Sequence, residues 1–246
     1  MPAAATLSQP ATVQTGGPTV RVFHNNDVPH PLVYGYQAHP YQVGNEEMPA
    51  HTVTEVYRYT DHGSDDEHLA ETAFRLFNVG DDPEFGEPDP RALEYRDRAN
   101  RGLSKGDIVA IEDDRGTRFY ACGSFSWDLL DAPPVIDNRE QHGTTPVDAP
   151  LIAYTVDFLT QTALAETAPW QVEACSRGQL VGRIRDRLVE RLSLDPVRAR
   201  VFIDIRDEDD EDTVWRARQG SDSGLGFSRH RADTEIATFT VRPATA

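Results

Sequence analysis

The sequence predicts an α+β protein with antiparallel sheets and few helices, arranged as two small domains after a disordered N-terminal tail. Three observations predict this fold class. Short runs of β-branched and aromatic residues recur between turn-forming residues, only two long segments have a helical spacing of apolar residues, and a proline-rich stretch divides the chain near its middle. With 246 residues, the chain is long enough for two domains that each bury a core.

The N-terminal segment, Met1–Pro18, consists mainly of Ala, Thr, Gln, Pro and Gly and offers too little apolar surface to order itself, so we expect a flexible tail. The first domain is expected over residues 19–130. It begins with three predicted strands, Thr19–His24, Leu32–His39 and Thr52–Thr60. Ser64 and Glu67 then match a capping box, in which each side chain accepts a hydrogen bond from the other residue's backbone amide. We therefore expect a helix that runs to Asn78.

The apolar residues of this predicted helix fall on one face. They are Leu69, Ala73, Leu76 and Phe77. A polar connection follows over Val79–Leu103, with a helical turn expected at Arg91–Arg98. Two further strands, Asp107–Glu112 and Thr117–Gly123, then form a predicted hairpin with Gly116 at a left-handed position of its turn.

Residues 131–150 contain four prolines and few apolar side chains, so they are expected to be a linker between the domains. The second domain is expected over 151–246. Leu151–Phe158 is too short for its period to separate a strand from a buried helix, and its β-branched content favours a strand. Gln179–Leu192 is a predicted helix because Leu180, Ile184, Leu188 and Leu192 recur every four residues. The remaining predicted strands are Arg200–Arg206, Thr213–Arg218 and Thr234–Arg242.

The chain is strongly acidic, with 41 acidic against 24 basic residues and a net charge of −17. Such a charge repels phosphate backbones, so direct nucleic-acid binding is not expected, whereas a basic protein partner is. Adaptation to a salty cytoplasm would give the same charge, and the dominance of arginine over the single lysine, Lys105, is typical of a GC-rich genome. The chain contains neither an apolar run of membrane-spanning length nor a signal-peptide pattern, so we expect a cytoplasmic protein that does not bind membranes.

No motif indicates a catalytic, cofactor or metal site. Six of the eight histidines precede residue 70, but none has the spacing of a metal-binding motif. The two cysteines, Cys122 and Cys175, are expected to be buried free thiols. The acidic runs are expected at a helix N-terminus and in hairpin loops, where carboxylates are common. A small hydrolase or transferase that uses His62 or His68 with nearby carboxylates is the alternative to a binding protein.

Three arginines of the second predicted helix, Arg183, Arg187 and Arg191, recur every four residues and would present an anion-binding stripe. The alternative is that they pair with Asp186 and Glu190 on the same helix. The tryptophans, Trp127, Trp170 and Trp215, are interpreted as packing residues rather than interface anchors.

A resemblance covers about residues 69–127, roughly a quarter of the chain. Its three parts run from Ala70 to Asn78, from Asn100 to Val109, and from Phe119 to Trp127. This order resembles the YodL-like domain, a small protein family found in bacterial plasmids, conjugative elements and phage-like cargo. That family has a helix ending in Phe-Asn, a serine-rich turn into a strand, and a tyrosine-containing strand that ends in an aromatic residue.

The matching positions in this chain are Phe77, Asn78, Ser104, Asp107, Ile108, Val109, Tyr120, Ser124 and Phe125. Gly102 and Gly106 stand where the family pattern often has serine, and the spacer between Asn78 and Ser104 is long. The resemblance implies an accessory or interaction protein and brings no catalytic residue. Together with the charge, it leads us to expect a non-enzymatic protein of a plasmid, phage or other mobile element that binds a basic partner, for example as a DNA mimic. The sequence predicts no oligomeric state.

Overall fold

The computed structural model describes residues 16–27, 39–63, 65–141, 143–161, 168–193, 200–206, 214–220 and 234–244. Most of the expected tail, nearly all of the strand expected over Leu32–His39, Ser64 of the capping box and the acidic loop Asp207–Asp212 lie outside these ranges. No helix in the described ranges has the length and hydropathy that crossing a membrane requires.

The described residues form eleven strands, three α-helices and one 3-10 turn. In chain order these are β1 (Thr19–Asn25), β2 (Thr52–Thr60), α1 (Asp66–Val79), the 3-10 turn (Pro83–Phe85), α2 (Pro90–Asp97), β3 (Ile108–Asp113), β4 (Gly116–Cys122), β5 (Trp127–Leu129), β6 (Val135–Ile136), β7 (Ile152–Gln161), β8 (Trp170–Ala174), α3 (Arg177–Arg191), β9 (Arg200–Arg206), β10 (Val214–Gly220) and β11 (Thr234–Pro243).

The strands make two sheets. The first has six strands in the order β5-β4-β3-β1-β2-β6, and the second has five in the order β8-β7-β11-β10-β9. All described pairings are antiparallel except that of β2 with β6. The predicted α+β class with few helices is therefore confirmed, and Gly116 closes the β3–β4 hairpin at a φ of 105° as expected.

The chain divides into two compact units. The first contains the residues up to Asn78 together with Leu103–Asp137, and the second contains Val79–Gly102 together with the residues from Asn138 onward. The stretch 131–150, expected as a linker, is shared between them. Its β6 pairs with β2 in the first unit, whereas its Thr145 is buried in the second and donates to Asn100 Oδ1 over 2.8 Å.

In the first unit, α1 packs on one face of the six-stranded sheet. Its buried face contains all four predicted apolar residues, and the Phe77 ring meets those of Tyr57 and Tyr59 at centroid distances of 5.3 and 5.8 Å. The helix begins at Asp66 because the Asp65 carboxylate accepts from the amide of His68 over 2.8 Å. A second apolar cluster includes Phe23, Val53, Ile108, Ala110, Phe119 and Ala121.

In the second unit, α3 buries Leu180, Ile184 and Leu188 against the five-stranded sheet, so three residues of the predicted face are confirmed. The fourth, Leu192, is the C-cap residue and packs against the same core while partly buried. Ser176 caps the helix by accepting from the amide of Gln179 over 3.1 Å. The sheet contributes a buried aromatic group to the same core, consisting of Trp170, Trp215 and Phe239.

Gly106 precedes β3 at a φ of 89°, and a Cβ on it would lie 2.0 Å from the carbonyl oxygen of His39. We therefore expect Gly106→Ala to destabilise the first unit by about 2 kcal/mol or more, because backbone strain and a backbone clash add. The control is Gly116→Ala, which has a positive φ but no atom within 4 Å of the added Cβ. It should cost only about 1 kcal/mol. Urea unfolding followed by far-UV circular dichroism compares the two, and equal losses would contradict the expectation.

Candidate functional site

A network of ion pairs fastens the N-terminus of α1 to the β3–β4 hairpin. Arg118 on β4 is its centre, because its guanidinium donates to both oxygens of Asp66 at the start of α1. The same group donates to Asp113 Oδ1 and Oδ2 over 2.9 Å each. Tyr120, two residues along β4 and on the same face of the sheet, donates its hydroxyl to Asp66 Oδ2 over 2.9 Å. We call Asp66, Asp113, Arg118 and Tyr120 the α1 clamp.

The electrostatics of the clamp keep both carboxylates ionised. Hydrogen bonds from Arg118 hold the pKa of Asp66 below its usual value. Hydrogen bonds from Arg118 and Arg115 hold the pKa of Asp113 well below its usual range, and those two carboxylates raise the pKa of Arg118 in return. Burial, followed by the hydrogen bond to Asp66, raises the pKa of Tyr120. Groups with such pKa values keep their protonation at neutral pH, so the clamp is an anchor rather than an acid–base pair.

The residues that carry the resemblance also fasten the first unit together. At the end of α1, Phe77 is buried, and Asn78 donates through Nδ2 to the carbonyl of Leu103 over 3.1 Å. The fully buried Asp107 accepts from the amides of Asn25 and Ser104 over 2.8 Å each. These residues therefore join α1, β1 and the turn before β3.

The turn between β4 and β5 presents an aromatic side chain. Gly123 donates through its amide to the carbonyl of Ser126 over 2.8 Å, which closes the turn. Phe125 lies at its tip and is fully exposed. Trp127 follows, and α1 holds its indole by two contacts. The ring meets Phe74 at a centroid distance of 6.3 Å, and Nε1 donates to Glu71 over 3.3 Å.

Leu129 extends this exposed surface along β5. Leu129 lies opposite Tyr120 on β4, and Trp127 lies opposite Cys122. The side chains of Trp127 and Leu129 therefore lie on the face of the sheet that α1 covers. The exposed fraction of Leu129 is 59%. We call Phe125, Trp127 and Leu129 the edge patch, since β5 is the last strand of its sheet.

Two carboxylates lie near the edge patch, Glu71 on the face that α1 covers and Asp128 on the opposite face of β5. Both are exposed, and neither has a cationic partner among the described residues. Their nearness to the turn is shown by Cys122, whose pKa rises to about 12 through burial first and then through the charges of Asp107, Glu71 and Asp128. The apolar edge patch therefore has an exposed carboxylate near it on each face of the sheet.

The predicted arginine stripe makes contacts within the second unit. Arg183 donates to the carbonyl of Glu173 over 2.6 Å and to Asp97 Oδ2 over 2.7 Å. Arg187 donates to the carbonyl of Gln171 over 3.3 Å, and its guanidinium lies 4.6 Å from the centre of the Trp170 ring. Both thus bind strand β8, and the ion pair with Asp186 is made by Arg185.

Arg191 is exposed in the last turn of α3. The histidines of the enzyme alternative, His62 and His68, are both exposed as well. Within the part of the chain that the structure describes, no three His, Cys, Asp or Glu side chains are grouped closely enough to hold a metal ion.

Comparisons with protein-family models, with curated proteins and with solved structures found no match to this chain. The relation to the YodL-like family accordingly stays a proposal that rests on the residues quoted above.

Sequence reasoning missed the two features that define this site. It interpreted Asp66 only as part of an acidic helix start, although the Arg118 that binds it lies 52 residues away. It noted Phe125 only within the resemblance, whereas its interpretation of Trp127 as a packing residue agrees with the contact between Trp127 and Phe74. The available signal was the alternation of Arg118 and Tyr120 with Phe119 and Ala121, which places the two polar side chains on one face of the predicted strand.

Arg118→Ala should lower the melting temperature at neutral pH by a few degrees more than Arg115→Ala. Arg118 binds both carboxylates with its side chain 21% exposed, whereas that of Arg115 is 57% exposed. Because the clamp lowers the folded-state pKa of Asp66, its contribution is complete above the unfolded-state pKa of about 4 and is lost as pH falls through the folded value. The gap between wild type and Arg118→Ala should therefore narrow below about pH 4. A gap that stays constant down to about pH 2 would contradict this account.

Proposed function

We propose that this protein is a non-enzymatic, acidic interaction protein that binds a basic partner protein through the edge patch. The observation that carries the proposal is the position of Phe125, which is fully exposed at the tip of a hydrogen-bonded turn beside carboxylates that have no cationic partner among the described residues.

The aromatic part of the surface supports binding rather than folding. An exposed phenylalanine contributes nothing to the core, and large apolar side chains that cluster on a surface mark interaction sites. Phe125 lies in the turn that leads into β5, on which Trp127 and the exposed Leu129 follow. Trp127 is fixed by Phe74 and Glu71, which reduces the side-chain entropy that a partner has to remove on binding.

The charge supports a basic partner. The chain carries a net charge of −17, and Glu71 and Asp128 place part of it near the edge patch, one on each face of the sheet. A negative surface of this kind accelerates the encounter with a positive protein and repels nucleic acid. A partner with a basic rim around an apolar recess would match both parts of the surface.

In its most specific form, the proposal is that the partner is a basic nucleic-acid-binding protein and that this protein occupies its binding groove as a DNA mimic. The resemblance to the YodL-like family supports a place among the accessory proteins of a plasmid, phage or other mobile element. The test is affinity capture from a lysate of the host cells at rising salt, followed by competition between this protein and duplex DNA for the purified captured protein. Failure to retain any basic protein at low salt would sink the proposal, and retention without competition would remove the mimic form.

Phe125→Ala should weaken binding to the captured protein by about 10- to 100-fold and leave the melting temperature unchanged, because the side chain touches little of its own protein. The matched control is Phe85→Ala, which removes a phenylalanine that is 70% exposed in the second unit. Isothermal titration calorimetry measures both affinities. Equal losses in the two variants would show that the edge patch has no special role.

Neutralising Glu71 and Asp128 together, by Glu71→Gln and Asp128→Asn, should slow association at low salt by about threefold or more and flatten its salt dependence. The control is Glu46→Gln with Glu47→Gln, which makes the same change in net charge on an exposed loop. Stopped-flow association rates at several salt concentrations distinguish the two pairs. A control that slows association as much as the test pair would assign the effect to net charge alone.

A further inference from the structure

Among the described residues, no strand pairs with the outer side of β5. Antiparallel partners alternate between pairs that exchange hydrogen bonds and pairs that do not. The amide of Gly123 donates to the carbonyl of Ser126, and the amide of Leu130 donates to the carbonyl of Phe119. Since hydrogen-bonded pairs alternate along the two strands, the hydrogen-bonded pair between these two is Ala121 with Asp128. It follows that Trp127 and Leu129 direct their N–H and C=O groups away from β4.

These outward groups are unoccupied in the part of the chain that the structure describes. Neither the N–H nor the C=O of Trp127 or Leu129 has a hydrogen-bond partner there. Edge strands with open backbone groups are templates for another strand, and proteins ordinarily protect them. The edge strand β8 of the other sheet is protected in this way, because Arg183 and Arg187 donate to its carbonyls at Glu173 and Gln171.

We propose that a basic, extended segment of the partner adds to the six-stranded sheet as a strand beside β5. This inference rests on the proposed function and specifies how the partner is held. The main-chain groups of Trp127 and Leu129 would pair with the backbone of the segment, while the edge patch would contact its apolar side chains. Its arginine or lysine side chains would reach Glu71 and Asp128.

Charge selects this occupant over a second copy of the same chain. Two copies paired edge to edge would bring Asp128 and Glu71 of each close to those of the other, within a dimer whose net charge is twice −17. A basic segment instead gains attraction at the same positions. The charges near β5 thus favour a positive strand over a second copy of the same chain.

The probe is a short fluorescent peptide of alternating arginine and valine, measured by anisotropy with the full-length protein at low salt. Its matched control has the same sequence with alternate backbone nitrogens methylated, which removes hydrogen-bond donors and keeps every charge. We expect the unmodified peptide to bind and the methylated peptide to bind at least about tenfold more weakly, the loss expected from one or two hydrogen bonds.

The protein side of the test uses Leu129→Pro and Leu129→Ala. Both variants lose the leucine side chain, but only proline also removes the outward N–H of residue 129, and it leaves the inward bonds of β5 intact. Leu129→Pro should therefore bind the unmodified peptide about tenfold more weakly than Leu129→Ala, the loss expected from about one hydrogen bond. Circular dichroism checks that both variants fold. If Leu129→Pro does not fold, the comparison of the unmodified and methylated peptides tests the same hydrogen bond.

The outcomes separate the two proposals. If the unmodified and methylated peptides bind equally well, strand addition is overturned while binding of basic segments stands. If neither peptide binds at low salt, the proposed function fails and the strand-addition model fails with it. If sedimentation shows a dimer that Leu129→Pro abolishes, the edge is occupied by a second copy and the inference is wrong.

Discussion

The first unit depends on the position of Arg118 between two carboxylates that come from different elements. Asp66 belongs to the start of α1 and Asp113 to the end of β3, and the guanidinium on β4 donates to both oxygens of each. Planar bidentate pairing of this kind fixes orientation as well as distance. The clamp therefore sets how α1 lies on the sheet, and Phe77 at the other end of the helix completes its attachment.

The attachment of α1 determines what the edge of the sheet presents. Glu71 and Phe74 lie on the same helix as Asp66, one and two turns further on, and they hold the indole of Trp127. A helix placed differently would leave Trp127 without these contacts and β5 without its ordering partner. The α1 clamp thus supports the edge patch in two ways, because it positions the helix that holds Trp127 and because its Tyr120 lies opposite Leu129 in the sheet.

Much of the fold could be predicted from the sequence because the spacing of apolar residues and the turn residues indicate each element locally. The apolar faces of α1 and α3 were predicted residue by residue, as were the β3–β4 hairpin and its Gly116. Strands β5, β6 and β8 were missed because their 3, 2 and 5 residues are too short to display a period. The candidate site was missed for a different reason, since Asp66 and Arg118 are joined only by tertiary structure.

The two sheets differ in the charge of the side chains beside their edge strands β8 and β5. At β8, the arginines that sequence reasoning offered as an anion-binding stripe are used to donate to main-chain carbonyls, and Arg187 also covers the Trp170 ring. Two of the 24 basic residues in a chain of net charge −17 are thereby committed to one strand edge. At β5, the described residues provide no such cation, and carboxylates stand beside the strand instead. In the strand-addition proposal, these carboxylates would deter copies of the same acidic chain without covering the backbone of β5, and they would attract a positive strand.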